Sequence, residues 1–461
     1  MSLAEILAGV DAWVVGGTVR DELLGRPIRD VDLAVVGDPE PPARALAAAV
    51  RGPVFSLSEA FGAWRVIERS TARVYDFSPL QGETIEEDLG KRDFTANAIA
   101  RPLGGGDLID PFGGRADIAA GKLRVLGREA YESDPLRPLR LARLAAELGF
   151  VPDAETERLT LAAAPRTGEA AGERVFGELR RLLIAPEALA GLELADRLGL
   201  VRAVLPEVAE LHDVAQSHYH HLDVYGHTVE VLERQIELEG RLEEIFGALG
   251  RRVSDTLDEP LADELTRGQA LRFGALLHDI GKPATRDVLA DGRITFMHHD
   301  RLGRDMVGAL CRRLRTSERL SQFLQGVTRH HLRLGFLVHE RPLDRRAVYG
   351  YLKRTSPVEV EVTLLSCADR MATRGRNAER ATRAHLELGR ELMGAALDWR
   401  AIGPPKVPVR GDELARELDI EPGPELGRLL AELEEAAYAG EAGTRAEAVA
   451  LARRLRDNSD A

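Results

Sequence analysis

Over the first 125 residues apolar side chains come in short runs, and beyond that they recur mostly at helical spacing. Residues 13–15, 31–36, 63–67 and 73–77 are β-prone runs bounded by turn formers, which predicts strands. Pro39, Pro41 and Pro42 break the chain before an alanine-rich helical piece at 43–50. After Asp134-Pro135 the period changes. Residues 136–148, 154–164, 173–183 and 188–198 place apolar groups on one helical face. The charged stretch 250–264 interrupts this pattern and is expected to be a helix connection or a mobile loop. Pro404-Pro405-Lys406-Val407-Pro408 forms a stiff linker. It leads to helices at 426–437 and 445–455, the first opened by Pro422-Gly423-Pro424. The pattern predicts an α+β architecture, with a mixed sheet and helices first and a mostly helical remainder.

Composition narrows this picture. A chain of 461 residues exceeds one ordinary core, so two to four domains are expected. No apolar run is long enough to cross a bilayer, and the first residues lack the basic start and apolar core of a signal peptide. Cys311 and Cys367 are the only cysteines, which excludes a disulfide framework and fits a reducing, cytoplasmic compartment. The net charge of −13 argues weakly against a nucleic-acid partner. Local charge matters more, and residues 311–354 hold eleven Lys/Arg against three Asp/Glu.

The candidate chemistry begins at Gly16-Gly17-Thr18-Val19-Arg20-Asp21. A glycine turn between a strand and a helix start exposes backbone N–H groups to an anion. Asp30 and Asp32 are two apart on the next strand and so share one face. Two carboxylates on one face repel unless a cation lies between them, and Mg²⁺ with its oxygen ligands is the usual one. Asp76, on a later β-like run, is a candidate third carboxylate if its strand is a neighbour. Lys91 and Arg92 can neutralise phosphate charge. Asp93 and Asn97 would share a face on a helix and could meet a ribose. Asp134 is a candidate N-cap with Pro135 at the first helical position. Asp134 and Arg137 can also present an acceptor and a donor together to the edge of a base, in a helix that continues through Arg140 and Arg143.

Taken in order, these motifs resemble a bacterial class II tRNA nucleotidyltransferase/poly(A) polymerase. They are joined by Asp110-Pro111-Phe112-Gly113-Gly114 and by Glu173-Arg174-Val175-Phe176-Gly177-Glu178-Leu179. The resemblance is dense over the first 185 or so residues and returns in the tail. It implies a nucleotidyltransferase-fold head at 1–125, a helical neck at 126–200, a helical body at 201–395 and a helical tail at 396–461. It further implies addition of CCA, from CTP and ATP, to the 3′ end of tRNA. Asp30 and Asp32 would hold Mg²⁺, and Gly16, Gly17 and Arg20 the triphosphate. Arg92, Asp93 and Asn97 would contact phosphate and sugar, and Asp134 and Arg137 the base, with Arg140 and Arg143 completing the nucleotide site. Two departures stand out. Ser133 occupies the place of a usual Glu, with a modest expected effect. The stretch 78–84 is shorter than the family loop associated with the switch to ATP. CC-adding, A-adding and poly(A)-polymerising members remain alternatives.

A second constellation lies further on: His227, then His278-Asp279, His298-His299-Asp300, Arg329-His330-His331 and Asp369. Adjacent His and Asp can ligate one divalent metal. The ordered set resembles an HD-domain metallophosphohydrolase. By that resemblance His227, His278, Asp279 and Asp369 form a primary metal site, and His299 and His331 serve a second metal. His298 and His330 are alternatives to their neighbours, and Mn²⁺, Ni²⁺, Fe²⁺ and Mg²⁺ are the candidate metals. A metal-dependent phosphodiesterase or phosphatase as the main activity is the competing reading of the chain.

Overall fold

The computed structural model describes residues 2–58, 62–216, 222–374 and 378–457. It separates into two compact units, Met1–Pro206 and Glu207–Ala461.

The first unit is built on a six-stranded sheet. Its strands are β1 (Ala12–Val15), β2 (Asp30–Val35), β3 (Val54–Ser58), β4 (Ala63–Ile67), β5 (Val74–Pro79) and β6 (Ala100–Pro102), ordered β3-β4-β5-β2-β1-β6. Only β2 and β5 run parallel, with Asp32 opposite Asp76. The other pairs are antiparallel, so the sheet is mixed. Alternation along β2 sorts its side chains. Val31, Leu33 and Val35 enter a core with Val14, Leu46 and Phe77, beneath the helix Glu40–Val50. Ala34 enters a second core with Val15, Ile85 and Leu89, beneath the helix Ile85–Gly90. Asp30 and Asp32 therefore lie on the face of that second helix. Antiparallel pairing sets Val15 opposite Asp32, which places the turn after β1 beside the carboxylates.

The strands β3 and β6 were not expected, and β2 stops at Val35, one residue short of the predicted run. Val36 is exposed, and its N–H donates to the Asp11 carbonyl outside the ladder. The helices Arg137–Leu148, Ala154–Ala163, Gly172–Ile184 and Ala188–Arg197 follow as the periodicity predicts.

In the second unit, stretch 250–264 is more ordered than expected. It forms the helix Gly250–Leu257 and a short hairpin of Pro260–Ala262 with Leu265–Thr266. Buried Val253 and Leu257 anchor that helix despite its charges. The helices Val224–Glu239, Arg267–Leu277, His299–Leu314, Glu318–His330, Glu359–Met371 and Ala378–Ile402 form the body. The last helices, Gly411–Leu418, Pro424–Ala439 and Arg445–Asp457, share a small core around Leu414, Leu429 and Leu433. Much of the positive charge of 311–354 is matched inside this unit. Arg313 pairs with Glu207, Arg329 with Asp300, Arg346 with Glu435 and Glu441, and Lys353 with Glu434.

Candidate functional site

The chain leaves β1 at Gly16 with φ 69 and enters the helix Gly17–Leu23. A Cβ at Gly16 would lie 2.8 Å from Arg92 Nη1 and 3.4 Å from Asp32 Oδ2, so only glycine fits here. Thr18 ties the turn to the carboxylate strand. Its Oγ1 donates to the Asp30 carbonyl (3.2 Å) and accepts from the Asp32 N–H (3.0 Å). Asp30 is exposed and Asp32 half-buried. Burial pushes the Asp32 carboxyl up to about 6; Asp76 and Asp30 push the same way, and Arg92 opposes them. Asp76 does stand on the neighbouring strand, but the Arg65 guanidinium forks across both its oxygens at 2.7 Å.

With Asp30 and Asp32, the residues Arg20, Lys91, Arg92, Asp93, Asn97, Arg137, Arg140 and Arg143 line a cavity of about 580 Å³. That volume is within the range of small-molecule sites. Arg92 is steered by the buried Asp88, whose Oδ2 accepts from Nε and Nη2. Arg20 donates to Asn97 Oδ1 (2.6 Å), and Asn97 Nδ2 donates to Asp93 Oδ1 (2.9 Å). Asp93 and Asn97 meet as expected but not on an α-helix. Asp93 precedes a short 3₁₀ turn, Thr95–Asn97. Arg140 Nη1 donates to Asp93 Oδ2 (3.0 Å), and Arg140 and Arg143 both donate to Glu178. Burial alone would raise the Asp93 carboxyl, but Arg140 and Asn97 more than offset it and hold it at about 2. Arg140 shifts up correspondingly, burial opposing and Asp93 and Glu178 prevailing.

Two expectations about the base-reading pair need correction. Asp134 does not cap the helix Arg137–Leu148, whose N-cap is Leu136. It follows the helix Arg128–Ser133, and its side chain accepts from the Leu136 N–H (3.1 Å) in a local turn, because Pro135 and Leu136 lie between the helices. Nor do Asp134 and Arg137 point together into the cavity. Asp134 Oδ2 accepts from Arg174 Nη2 (2.7 Å), and Asp134 is not among the lining residues. Arg137 lines the cavity but donates to the carbonyls of Lys91 (2.9 Å), Arg92 (3.2 Å) and Ala130 (3.0 Å), and to Ser133 Oγ (3.0 Å). Thus Ser133, in the place of a usual Glu, holds Arg137. The connection from β5 to the helix Ile85–Gly90 is pinned. Leu80 N–H donates to Val35 O (2.8 Å), Gln81 N–H to Asp88 Oδ1 (3.0 Å) and Glu83 N–H to Glu87 Oε2 (2.8 Å).

The second unit gathers its own cluster. His227 comes from the helix Val224–Glu239 and Asp369 from Glu359–Met371. His278 and Asp279 end Arg267–Leu277, His299 starts its helix, and His331 ends Glu318–His330. Nε2 of His278 lies 3.1 Å, and of His227 3.9 Å, from Asp279 Oδ2. Nε2 of His299 (3.3 Å) and His331 (3.7 Å) face the other oxygen, Oδ1. His227 Nε2 is 3.0 Å from Asp369 Oδ1. Nδ1 of His278, His299 and His331 each sits 2.7–2.8 Å from the carbonyl three residues back. A carbonyl only accepts, so Nδ1 carries the proton and the Nε2 lone pair faces the carboxylate. Lone pairs aimed at a carboxylate oxygen call for a cation between them, so the cluster fits a divalent metal. His298 and His330 turn away. His298 is an N-cap with φ 67, and His330 Nδ1 accepts from Arg333 Nε (2.8 Å). Lys282 also reaches Asp279 Oδ2, at 2.7 Å.

Sequence reasoning did not assign Thr18, Asp88 and Glu178 to the first site, although Thr18 and Glu178 stand inside the motifs quoted above. Arg65 carried no signal.

Comparison with known proteins supplies the frame. The chain matches the poly A polymerase head domain over residues 12–124, the probable RNA and SrmB-binding site of polymerase A over 149–211 and the HD domain over 224–374. It is 36% identical to an A-adding tRNA nucleotidyltransferase of Deinococcus radiodurans, over 96% of this chain and 95% of that one. It is 34% identical to a CC-adding tRNA nucleotidyltransferase of Thermus thermophilus, over 96% and 93% respectively. The fold is that of a Thermotoga maritima CCA-adding enzyme solved with tRNA, at a TM-score of 0.61 and 20% identity over 98% of this chain and 93% of the other. The chain belongs to the tRNA nucleotidyltransferase/poly(A) polymerase family, in a form that carries an HD domain.

Proposed function

We propose that this enzyme adds CCA to the 3′ end of tRNA from CTP and ATP, without a nucleic-acid template. The observation that carries the proposal is the cavity itself, lined both by the carboxylates Asp30 and Asp32 and by the cations Arg20, Lys91, Arg92, Arg137 and Arg140. The tRNA 3′-hydroxyl oxygen forms a bond to the α-phosphorus, the bond to the β-phosphate bridge breaks, and pyrophosphate leaves. Asp30 and Asp32 hold Mg²⁺, which when bound activates the hydroxyl and neutralises charge on the leaving group. Arg20 and Arg92 grip the triphosphate, and the N–H groups after Gly16 point to it from a helix start. Arg137, held by the carbonyls of Lys91, Arg92 and Ala130, lines the cavity beside the base.

The test uses tRNA transcripts ending before CCA, after C and after CC, each with Mg²⁺ and labelled CTP or ATP. Addition of C, C and A followed by a stop is the expected result. Addition of C alone would make this a CC-adding enzyme, a reading favoured by the pinned five-residue connection after β5. Addition of A alone on the CC end, or a long A ladder, would mark an A-adding enzyme or a poly(A) polymerase. Arg137→Ala is expected to blur CTP/UTP and ATP/GTP discrimination about tenfold or more while Mg²⁺ binding is kept. Unchanged discrimination would count against base reading by this residue.

The HD cluster supports a second activity in the same chain, hydrolysis of a phosphate ester at a divalent metal centre held by His227, His278, Asp279, Asp369, His299 and His331. Asp279→Ala is expected to abolish that hydrolysis and leave nucleotide addition intact. Loss of nucleotide addition in this variant would instead link the two activities.

A further inference from the structure

Beside the second-unit ligands lies a cavity of about 290 Å³. Asp279, His299, His331 and Asp369 line it, together with the apolar side chains of Leu332, Val338 and Ala381. Arg370 also lines it, one residue after Asp369 on the same helix. Arg370 Nε is buried and has no hydrogen-bond partner, and the side chain makes no ion pair among the described residues. Neighbouring arginines are different: Arg374 pairs with Glu230 at 3.2 Å, and Arg329 pairs with Asp300. A buried guanidinium N–H without an acceptor is costly to keep, and none of the described residues accepts from this one. Lys282, the other long cation of the cavity, is already committed to Asp279 and to Gln216 Oε1 (2.8 Å). His385 shares the cavity with its Nε2 3.1 Å from Ser366 Oγ. Burial, with Arg370 contributing, pushes its pKa down to about 4, so it is neutral near pH 7 and brings no competing charge.

We propose that Arg370 is the phosphoryl-binding residue of the HD centre. Its guanidinium receives a non-bridging oxygen of a phosphate ester whose organic group lies against Leu332, Val338 and Ala381. This assignment rests on the phosphohydrolase reading of the cluster. In the reaction, a water oxygen forms a bond to phosphorus, the ester P–O bond breaks, and the alcohol leaves with a proton. Arg370 stabilises the phosphoryl oxygens throughout and exchanges no proton, since guanidinium stays charged. A forked donor is required for this role, so lysine should replace it only in part.

The test is calorimetric titration of the full-length, Mn²⁺-loaded protein with inorganic phosphate, alongside hydrolysis of p-nitrophenyl phosphate. Arg370→Gln is expected to weaken phosphate binding at least tenfold and to lower kcat/KM by a similar factor, with Arg370→Lys intermediate. Metal content, thermal midpoint and nucleotide addition to tRNA should match the unaltered protein, because the guanidinium holds no partner among the described residues. Phosphate binding that is equal in Arg370→Gln and the unaltered protein, or absent from both, would overturn the assignment. Phosphate binding lost in Arg370→Gln but no hydrolysis by the unaltered protein would uphold the anion site and overturn the phosphohydrolase reading.

Discussion

Replacing Asp32 by asparagine is expected to abolish nucleotide incorporation, by about three orders of magnitude or more, while making the metal-free protein more stable at pH 7.5. The two effects have one cause. The folded Asp32 carboxyl sits at about 6, against an ordinary value of 3.8, because it is partly buried beside Asp76 and Asp30. Between pH 4 and 6 the folded state binds more protons than the unfolded one, so stability falls as pH rises through that window. Above pH 6 the full penalty applies, about 2 kcal/mol after allowing for partial exposure. Asparagine removes that charge, so the thermal midpoint should rise by about 5 °C at pH 7.5. The gap should close by pH 4, where the native carboxyl is already protonated. Mg²⁺ should raise the midpoint of the unaltered protein and not that of the variant, since a ligand stabilises only the form that binds it. Thermal melts at the two pH values, with and without Mg²⁺, make the check. A variant no more stable than the parent at pH 7.5 would show that the carboxylates do not strain the empty site.

Asp93→Ala is expected to destabilise the first unit by about 3 kcal/mol and to scatter the nucleotide-facing arginines. Asp93 is buried and accepts from both Arg140 (3.0 Å) and Asn97 (2.9 Å), and Asn97 in turn accepts from Arg20. Its removal leaves a guanidinium facing the cavity with only Glu178 at 3.3 Å to hold it. The sign with pH is opposite to that of Asp32. The Asp93 carboxyl is held at about 2, so its stabilisation is complete above pH 4 and fades as pH falls toward 2. Denaturant unfolding of Asp93→Ala and the parent should differ most near neutrality and converge in acid. KM for CTP should rise, because Arg20 and Arg140 lose their common anchor. A parallel pair of pH–stability curves would remove Asp93 from this role.

Several site features could be read before any coordinates because they are local. Asp30 and Asp32 share a face by the two-residue period of a strand, and a glycine turn between a strand and a helix exposes N–H groups wherever it occurs. The His-Asp pair at 278–279 needs only a helix end. Features set across the chain were not legible. The Arg65 guanidinium reaches Asp76 through the β4–β5 register, which no local pattern encodes. The choice of His299 over His298, and His331 over His330, turned on how each helix end is rotated, since adjacent side chains on a helix diverge by about 100°. Asp134 was misplaced as an N-cap because Pro135 suits the first helical turn equally well in a connection between two helices.

By itself, then, the sequence determined the order of sheet and helices, the identity of both chemical clusters and the family to which they belong. These follow from short-range periodicity and from residue types that few other chemistries combine. Only the tertiary structure decided which charges are already spoken for. Arg174 holds Asp134, Ser133 and three carbonyls hold Arg137, Arg65 holds Asp76, and Arg370 Nε has no partner among the described residues. A charge is neutralised by whatever the fold brings within about 3 Å of it, and the partner can lie 46 residues away, as Lys91 does from Arg137, or 144, as Glu230 does from Arg374.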